Sequence, residues 1–507
     1  MADIIVGIDV GSTNVKVVAF DLNANQLSGY SERLTVYHPK ADWSEYDLDE
    51  TWEATKVCLS RVADSVRETG EIKAIGITSV AETGVPIDEH GKCLFPGIAW
   101  YDPRTEAETE WWDSEVGANR IYEITGVPLH PKCSISKIMW LRQNEPEVFA
   151  KTRKWLSVSD FVAFRLTGEC CTDPSLAGRT MAFDITGKKW AKGLIETAGL
   201  EEELFPEVRE SGASAGIIRK SVAREIGLPV GTYVSVSGHD HICASFGARV
   251  VAGVPVVNST GTAEGFVVRG DSPVLDDDYR KAGWAWGCDV IPDRYTMFGT
   301  ATASGAAIEW LRRNLSPSGR HNRPDVLTYE DLICEAKSVE PGCLGMMAVP
   351  HFRGRGCPER DRFARGAFVG VSTFHDHRYF VRAVFEGLCY ELRSILEAAE
   401  KHAGNIFEEI VVIGGGARNM FWQELKATIL NRRLVIPEIS EGGALGAALL
   451  AACGSGIIRE LGDVRPNVDK HILDPNTSLS EFYDDLYRNK YVQLYPLLKT
   501  LNKESQC

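Results

Sequence analysis

The chain lacks the sequence features of several large classes of protein. It has no cluster of lysine and arginine, and its formal net charge is −15 over 507 residues, so neither a nucleic acid nor an anionic membrane surface is an expected partner. None of its 13 cysteines forms a C-x-x-C pair, which argues against a zinc site or a redox dithiol. Irregular spacing of an odd number of cysteines fits the reduced thiols of a cytoplasmic protein.

Targeting signals and long hydrophobic runs are also absent. The N-terminus, Met1-Ala2-Asp3-Ile4, carries no basic segment, so we predict no signal peptide and a cytoplasmic location. The longest weakly polar run, residues 442–458, is mostly alanine and glycine, too short and too weakly apolar to span a bilayer. A helix that packs closely against a neighbour is the better interpretation.

The length of the chain predicts more than one domain. A chain of 507 residues is too long for a single hydrophobic core, and helix and strand patterns alternate as in α/β proteins. Two similar hairpins, one near the start of each half, indicate two related domains that face a shared cleft. We place the boundary between a domain of residues 1–248 and a domain of residues 249–507.

The first hairpin is the strongest functional signal. A strand carries Asp9 near its end, and the turn that follows contains Gly11, Ser12, Thr13 and Asn14. Gly11 can adopt a positive φ, so the turn can point several backbone N–H groups at one place. Such donors beside a lone carboxylate suit a phosphate chain and its Mg²⁺. No Gly-Lys-Ser/Thr follows, so this is not a Walker loop, and an ordinary hairpin turn stays the alternative.

Asp240 follows the end of a predicted strand and begins a helix. Active sites gather at the carboxyl ends of strands in α/β sheets, and an aspartate there can act as general base for a substrate hydroxyl. The alternative is a helix N-cap. His239 and His241 flank it, but adjacent side chains rarely converge on one metal ion.

Two further turns in the second half have donors or glycines at strand ends. Residues 259–262 form a turn rich in hydroxyl groups that suits the β and γ phosphates, with a plain turn between strands as the alternative. Residues 414–416 are three glycines between a strand and a helix. They would let the backbone approach a ring or phosphate, although a tight strand-to-helix turn is equally compatible.

Carboxylates and aromatic rings in the first half suit a polyhydroxylated ligand. Glu82 and Thr83 follow a buried strand, and Trp100, Asp102 and Arg104 lie close together in the chain. Carboxylates accept hydrogen bonds from neighbouring hydroxyls, and rings cover C–H faces. Surface loops with a salt bridge between Asp102 and Arg104 are the alternative. Together, the five features fit phosphoryl transfer from ATP in a closing cleft.

These motifs resemble the FGGY carbohydrate kinases, the family of glycerol kinase and xylulokinase. Residues 134–144 nearly meet one family signature, with Lys132 departing at its first position, and residues 366–386 nearly meet the other. The resemblance implies an α/β fold of two ribonuclease-H-like domains of the actin/Hsp70/sugar-kinase superfamily around a catalytic cleft. It implies that residues 1–248 bind the sugar and residues 249–507 bind the nucleotide.

The resemblance also implies roles for single residues, with ATP and Mg²⁺ as cofactors. Asp240 would be the catalytic base, and Asp9 would lie at the Mg²⁺ site. The residues expected to bind ATP are Gly11, Ser12, Thr13, Asn14, Gly261, Thr262, Gly415, Gly416 and Asn419. The residues expected to bind the acceptor, from their chemistry and position in the chain, are Glu82, Thr83, Trp100, Asp102, Arg104 and His239.

The acceptor is predicted from positions at which this chain differs from known members of the family. Glycerol kinases carry Arg-Glu-Thr where this chain has Ala81-Glu82-Thr83, and the missing guanidinium disfavours glycerol. We predict a ketose or polyol of four to six carbons, such as xylulose or ribulose, phosphorylated on a terminal hydroxyl. A superfamily ATPase without a sugar and a non-catalytic sugar or nucleotide sensor are the rival interpretations. The expected partner is this small molecule, and a homodimer stays open.

Overall fold

The computed structural model describes residues 2–315, 327–464 and 466–504. Within them the first half of the chain forms strands β1 (Ala2–Val10), β2 (Asn14–Phe20), β3 (Gln26–Arg33), β4 (Glu45–Tyr46), β5 (Gly70–Ser79), β6 (Gly84–Ile87), β7 (Gly97–Ile98), β8 (Lys154–Ser157), β9 (Cys171–Thr172), β10 (Phe183–Asp184), β11 (Lys189–Trp190), β12 (Glu207–Val208), β13 (Ser214–Ile217) and β14 (Tyr233–His239). Its helices are α1 (Leu48–Val66), α2 (Glu106–Glu115), α3 (Ala118–Thr125), α4 (Ser134–Asn144), α5 (Pro146–Lys151), α6 (Val158–Thr167), α7 (Pro174–Ala177), α8 (Lys192–Thr197), α9 (Lys220–Ile226) and α10 (Asp240–Ala252).

The second half has the same mixture of strands and helices. Its described strands are β15 (Val256–Thr260), β16 (Glu264–Gly270), β17 (Ala285–Cys288), β18 (Tyr295–Ala301), β19 (Met347–Val349), β20 (Ala367–Val369), β21 (Glu409–Ile413), β22 (Arg433–Pro437) and β23 (Lys470–Leu473). Its described helices are α11 (Asp277–Ala282), α12 (Gly305–Asn314), α13 (Tyr329–Lys337), α14 (His377–Ala403), α15 (Met420–Leu430), α16 (Gly442–Gly454), α17 (Thr477–Leu486) and α18 (Val492–Glu504).

The first large sheet brings three strand ends to one edge. Its six strands run in the order β13-β14-β5-β1-β2-β3. Strand β5 pairs in parallel with both β1 and β14, whereas β1 and β2 form the antiparallel hairpin. The carboxyl ends of the three parallel strands therefore meet at one edge, and these ends are Val10, Ser79 and His239.

The second large sheet repeats this arrangement. Its seven strands run in the order β17-β18-β16-β15-β21-β22-β23. Strands β15 and β16 form an antiparallel hairpin, and β15 pairs in parallel with β21. The turns that follow β15 and β21 thus lie at the same edge of this sheet.

Helix α16 joins the second half of the chain to the first sheet by close backbone contact. A Cβ atom at Gly7 of β1 would lie 1.8 Å from the carbonyl oxygen of Ala444, and one at Gly76 of β5 would lie 1.9 Å from that of Ala447. At Gly446 it would lie 2.0 Å from the carbonyl oxygen of Cys243 in α10. The predicted close-packed helix is therefore present, and no helix in the described part of the chain is long and apolar enough to cross a membrane.

The predicted boundary between residues 248 and 249 falls inside α10, which runs without a break from Asp240 to Ala252. The division into domains of residues 1–248 and 249–507 therefore stays a prediction. Parts of the second range lie outside the described residues.

A methyl group at Gly76 should disrupt the packing of α16. Because the added Cβ would lie 1.9 Å from a backbone oxygen, which cannot rotate away, Gly76→Ala should lower the free energy of unfolding by roughly 2 kcal/mol or more, as overpacking does. Gly193→Ala in α8 is the matched control, since no atom lies within 4 Å of its added Cβ. Urea denaturation of both variants measures the difference. Equal stabilities would contradict this account of the contact.

Candidate active site

A cavity of about 730 Å³ lies between the two large sheets, at the edges where their strands end. From the first half it is lined by six of the predicted site residues, namely Gly11, Ser12, Glu82, Trp100, His239 and Asp240. From the second half it is lined by Ser259, Ala263 and Glu264, which surround the predicted phosphate turn. The topology thus brings predicted acceptor, base and phosphate residues to one cavity.

Asp240 is an ionised carboxylate in this cavity. It is the first residue of α10, and the N-cap position belongs to His239, so the alternative of an N-cap aspartate does not hold. Its Oδ1 accepts from the backbone N–H of His241 at 2.6 Å and lies 3.1 Å from Nε2 of His239. Burial raises the pKa of Asp240, but the charges of the two imidazoles and these hydrogen bonds outweigh it, so the pKa is lowered.

Asp9 carries a carboxylate oxygen that has no partner. Its Oδ1 is buried without a hydrogen bond, and a Cβ atom at Gly443 would lie 2.7 Å from its Oδ2. Burial and then the charge of Asp240 raise the pKa of Asp9 to about 7, against the opposing charge of Lys16. Lys16 itself is held by Glu441 at 2.8 Å.

This setting at Asp9 fits a divalent cation. An orphaned carboxylate oxygen near a second carboxylate is the kind of donor that Mg²⁺ takes. No group of three or more His, Cys, Asp or Glu side chains converges in the described residues. A cation at Asp9 would therefore need most of its oxygens from phosphates and water, as Mg²⁺ commonly does.

The first phosphate turn is tied to the acceptor side of the cavity. The backbone N–H of Gly11 donates to the carbonyl of Asn14 at 3.0 Å, which closes the turn. Ser12 Oγ accepts from the indole N–H of Trp100 at 3.2 Å. Thr13 and Asn14 lie in the same turn, joined by a side-chain hydrogen bond of 3.0 Å, but do not line the cavity.

The two glycine-containing turns of the second half contact each other. A Cβ atom at Gly414 would lie 2.5 Å from the carbonyl oxygen of Thr260, and one at Gly416 would lie 2.3 Å from its Cγ2. Space around Gly415 is open, with no atom within 4 Å of an added Cβ. Asn419 caps α15 through the backbone N–H of Trp422.

The turn at Gly261 and Thr262 also holds the N-terminus of α12, which begins at Gly305. Their carbonyl oxygens accept from the backbone N–H groups of Gly305 and Ser304, each at 3.0 Å. Both residues are exposed and lie beside the cavity, not in its lining. Gly261 and Thr262 follow β15, and Gly415, Gly416 and Asn419 follow β21, its parallel neighbour. The predicted nucleotide residues of the second half thus lie at one edge of the second sheet.

A buried polar network under this turn was missed by sequence reasoning. Lys426 of α15 is 1% exposed and its Nζ lies 2.5 Å from Glu264 and 2.9 Å from Asn258. Glu264 also accepts from Ser304 at 2.7 Å and from Thr260 at 2.8 Å. Lys426 and Glu264 are 162 positions apart in the chain, and no local pattern signals their contact.

Glu82 is held on the acceptor side by two basic side chains. Arg179, on the turn Gly178–Thr180, donates to its Oε1 at 2.6 and 3.0 Å, and Nζ of Lys132 lies 3.4 Å from the same atom. Burial raises the pKa of Glu82, but the charges of Arg179 and Lys132 lower it by more. The pKa of Glu82 is therefore below its ordinary value, and Glu82 is an anion. Its backbone has φ of 61°, a strained conformation that is typical of functional sites.

Arg179 and Lys132 were not predicted as site residues. Arg179 brings a guanidinium to Glu82 from a different part of the chain, and no local motif signals it. Lys137 of α4 is a third basic residue behind Glu82. Its buried Nζ donates to the carbonyl oxygens of Glu82, Ile98 and Ala99 at 2.8, 3.1 and 3.0 Å, so it fixes both loops of the acceptor side.

Asp102, Arg104 and Thr83 do not line the cavity. Asp102 accepts from Arg104 Nη2 at 2.7 Å and from the backbone N–H of Ser44 at 2.6 Å. Arg104 also pairs with Glu45 at 2.7 Å. The salt bridge of the alternative interpretation is present, but it is fully buried instead of lying on the surface.

Family models match both halves of the chain. The N-terminal domain of the FGGY family of carbohydrate kinases matches residues 4–247, and the C-terminal domain of that family matches residues 256–455. The xylulose kinase of Bacillus subtilis strain 168 is 28% identical over 508 residues, covering 98% of this chain and 99% of that protein.

Two further similarities cover most of the chain. The glycerol kinase of Thermococcus gammatolerans is 32% identical over 454 residues, 88% of this chain and 88% of that protein. A crystal structure of xylulose kinase from Rhodospirillum rubrum has a TM-score of 0.89 at 24% identity, covering 99% of this chain and 100% of that one. These matches confirm the predicted fold class of two α/β domains.

Removal of the Arg104 side chain should make the protein less stable without weakening acceptor binding. Arg104→Met leaves Asp102 and Glu45 without their buried partner, so it should lower the free energy of unfolding by roughly 3–5 kcal/mol. Arg120→Met, which breaks a pair whose arginine is 64% exposed, should cost roughly 1 kcal/mol or less. Denaturation and acceptor KM are measured on both. A raised KM at unchanged stability would show that Arg104 binds the acceptor.

Proposed function

This chain belongs to the FGGY family of carbohydrate kinases, and from that premise we propose that it transfers the γ-phosphoryl group of ATP to a terminal hydroxyl of a sugar or polyol of four to six carbons. The observation that carries the proposal is the ionised Asp240 in the cavity between the two sheets, next to both the phosphate turn and Glu82. Ketopentoses such as xylulose and ribulose are first candidates, because a xylulose kinase is among the relatives and its match covers 98% of this chain.

The acceptor would bind in the first half of the chain. Glu82 and His239 line the cavity and offer hydrogen bonds to sugar hydroxyls. Trp100 is 40% exposed, which leaves its ring free to cover a C–H face of the acceptor. Closure of the two halves over the acceptor would exclude water that otherwise hydrolyses ATP.

Asp240 would take the proton of the attacking hydroxyl. The acceptor oxygen forms a bond to the γ phosphorus as the bond to the bridging oxygen of ADP breaks, and ADP leaves with that electron pair. Backbone N–H groups of the turns at Gly11 and Gly261 would stabilise the phosphates. Mg²⁺ held by Asp9 would supply further neutralisation of phosphate charge.

The rival interpretations require a cavity without an acceptor site or without a base. A superfamily ATPase has no need for the strained Glu82 and its two basic partners, and a sensor has no need for an ionised aspartate at the junction. Because the reaction uses ATP, the proposed location is the cytoplasm. The homodimer stays a prediction.

ADP release with Mg²⁺-ATP and a panel of ketoses, polyols and sugar acids tests the proposal. We expect at least one acceptor to raise ADP release far above the rate with ATP alone. Hydrolysis that no acceptor changes would instead support the ATPase. No hydrolysis with any acceptor, together with thermal stabilisation by a sugar or a nucleotide, would support the sensor.

Loss of the Asp240 carboxylate should stop turnover but spare binding. Asp240→Asn keeps the size of the side chain and removes the base, so kcat should fall by roughly 10²- to 10⁴-fold while the acceptor still stabilises the protein thermally. Asp293→Asn is the matched control, since that side chain is 93% exposed in a surface pair with Lys188. Wild-type kcat in Asp240→Asn would contradict the assigned role.

The pH profile should show Asp240 ionised well below neutral pH. The pKa of Asp240 is lowered from its ordinary value of 3.8, so a falling pH protonates the base only below about pH 4. At saturating Mg²⁺ and ATP, any decline of kcat between pH 8 and 5 should therefore be the same in Asp240→Glu. An acid limb near pH 6 that shifts in Asp240→Glu would contradict this assignment.

A further inference from the structure

The indole of Trp100 reaches the first phosphate turn. Trp100 lies in the loop after β7 and lines the acceptor side of the cavity with Glu82, whereas Ser12 lines the cavity from the turn after β1. The indole N–H donates to Ser12 Oγ at 3.2 Å, across 88 positions of the chain. One side chain thus touches the turn assigned to the nucleotide and also faces the place assigned to the acceptor.

We propose that Trp100 is a positioning residue for the phosphate turn, and that its hydrogen bond to Ser12 couples the binding of the acceptor to the binding of ATP. This inference rests on the proposed function and deepens it. The proposed function gives a role to the ring of Trp100, and the inference adds a separate role for the N–H group.

The chemistry of the two side chains fixes the direction of the hydrogen bond. An indole N–H can only donate, whereas a serine hydroxyl has one O–H donor and two lone pairs. Ser12 Oγ is therefore the acceptor, and its own O–H points away from Trp100. Ionised phosphate oxygens need donors, and this O–H is one. Because hydrogen bonds in a chain polarise one another, the bond from the indole makes the Ser12 hydroxyl a stronger donor.

The buried phenol of Tyr46 is another polar neighbour of Ser12. Its oxygen makes no hydrogen bond to the described residues. Burial and then the hydroxyl of Tyr101 raise the pKa of Tyr46, against a smaller opposing effect of Ser12, so the phenol keeps its proton. It can therefore donate to the second lone pair of Ser12 Oγ, which leaves the Ser12 O–H for the phosphate.

A ligand in the cavity can act on the indole. Trp100 is 40% exposed, and its neighbour Tyr101, which lies edge-on with the ring centroids 5.3 Å apart, is 44% exposed. The backbone just before Trp100 is fixed, since Lys137 donates to two of its carbonyl oxygens. A half-exposed side chain loses rotamer freedom when a ligand covers it. An acceptor against the ring therefore stabilises the hydrogen bond to Ser12.

Coupling of this kind is reciprocal. If the acceptor lowers the Kd of the nucleotide, the nucleotide lowers the Kd of the acceptor by the same factor. A single hydrogen bond between neutral groups changes an equilibrium constant roughly two- to tenfold, which sets the expected size of the effect.

A double-mutant cycle tests whether Trp100 acts through Ser12. The Kd of the Mg²⁺ complex of the β,γ-imido analogue of ATP is measured calorimetrically without any acceptor. Trp100→Phe keeps an aromatic ring and removes the N–H, so it should raise this Kd roughly two- to tenfold. In a Ser12→Ala background, Trp100→Phe should have no further effect. Additive losses in the double variant, or an unchanged Kd in Trp100→Phe, overturn the positioning role.

Trp310→Phe is the matched control. Trp310 is 42% exposed, and its indole N–H makes no hydrogen bond to the described residues. The Kd of the analogue should therefore stay at the wild-type value in this variant. Thermal unfolding verifies that each variant is folded.

The acceptor that releases most ADP in the panel then measures the coupling. In the wild type it should lower the Kd of the analogue roughly twofold or more. In Trp100→Phe this factor should fall to about one, because the ring no longer reaches Ser12 through a hydrogen bond. An unchanged factor in Trp100→Phe overturns the coupling.

The outcomes distinguish this inference from the proposed function. If no acceptor releases ADP, the kinase and the coupling are overturned, whereas the nucleotide cycle still decides the positioning role of Trp100. If an acceptor releases ADP but Trp100→Phe changes neither the Kd of the analogue nor the coupling factor, the kinase stands and the inference is overturned.

Discussion

The close contact between α16 and the first sheet determines how the two halves of the molecule meet. Glycine at residues 7 and 76 lets the helix backbone approach β1 and β5 to distances that no side chain would permit. The same helix lies against α10 through Gly446 and against the Asp9 carboxylate through Gly443. Because α10 begins at Asp240, Asp9 and Asp240 are both positioned by packing against one helix from the other half.

Charge compensation determines the rest of the site. The ion pairs of Glu82 with Arg179 and Lys132, and that of Glu264 with Lys426, are largely buried. Burial of one partner without the other would be costly. The carboxylates in and near the cavity therefore have distinct environments. Glu82 is neutralised by two cations, Asp240 is kept ionised by the histidines, and Asp9 has an oxygen that fits a cation.

The sequence was most informative where a functional residue lies in a turn at the end of a strand. The hairpin at Gly11, the strand end before Asp240 and the glycine turn at residues 414–416 could be located because strand and turn patterns are local. Side chains that reach the site from distant parts of the chain could not be located in this way. Arg179 and Lys426 meet their carboxylates across 97 and 162 positions of the chain, and no local pattern reports such a contact.

Burial was the other property that local patterns did not resolve. Asp102 and Arg104 read equally well as acceptor ligands or as a surface pair, since both alternatives use the same charged residues. The structure encloses the pair together with Glu45. Its environment comes from aromatic side chains such as Trp43, whose ring lies 4.0 Å from the guanidinium.

Phosphorus NMR of the reaction mixture tests the central claim most directly. With Mg²⁺-ATP and an accepted sugar, the account predicts one new phosphomonoester signal, formed in equal amount to ADP. It should be split into a triplet by the two hydrogens of a terminal CH₂–O group. Inorganic phosphate as the sole phosphorus product besides ADP would contradict the account, because it would show hydrolysis instead of transfer to a terminal hydroxyl.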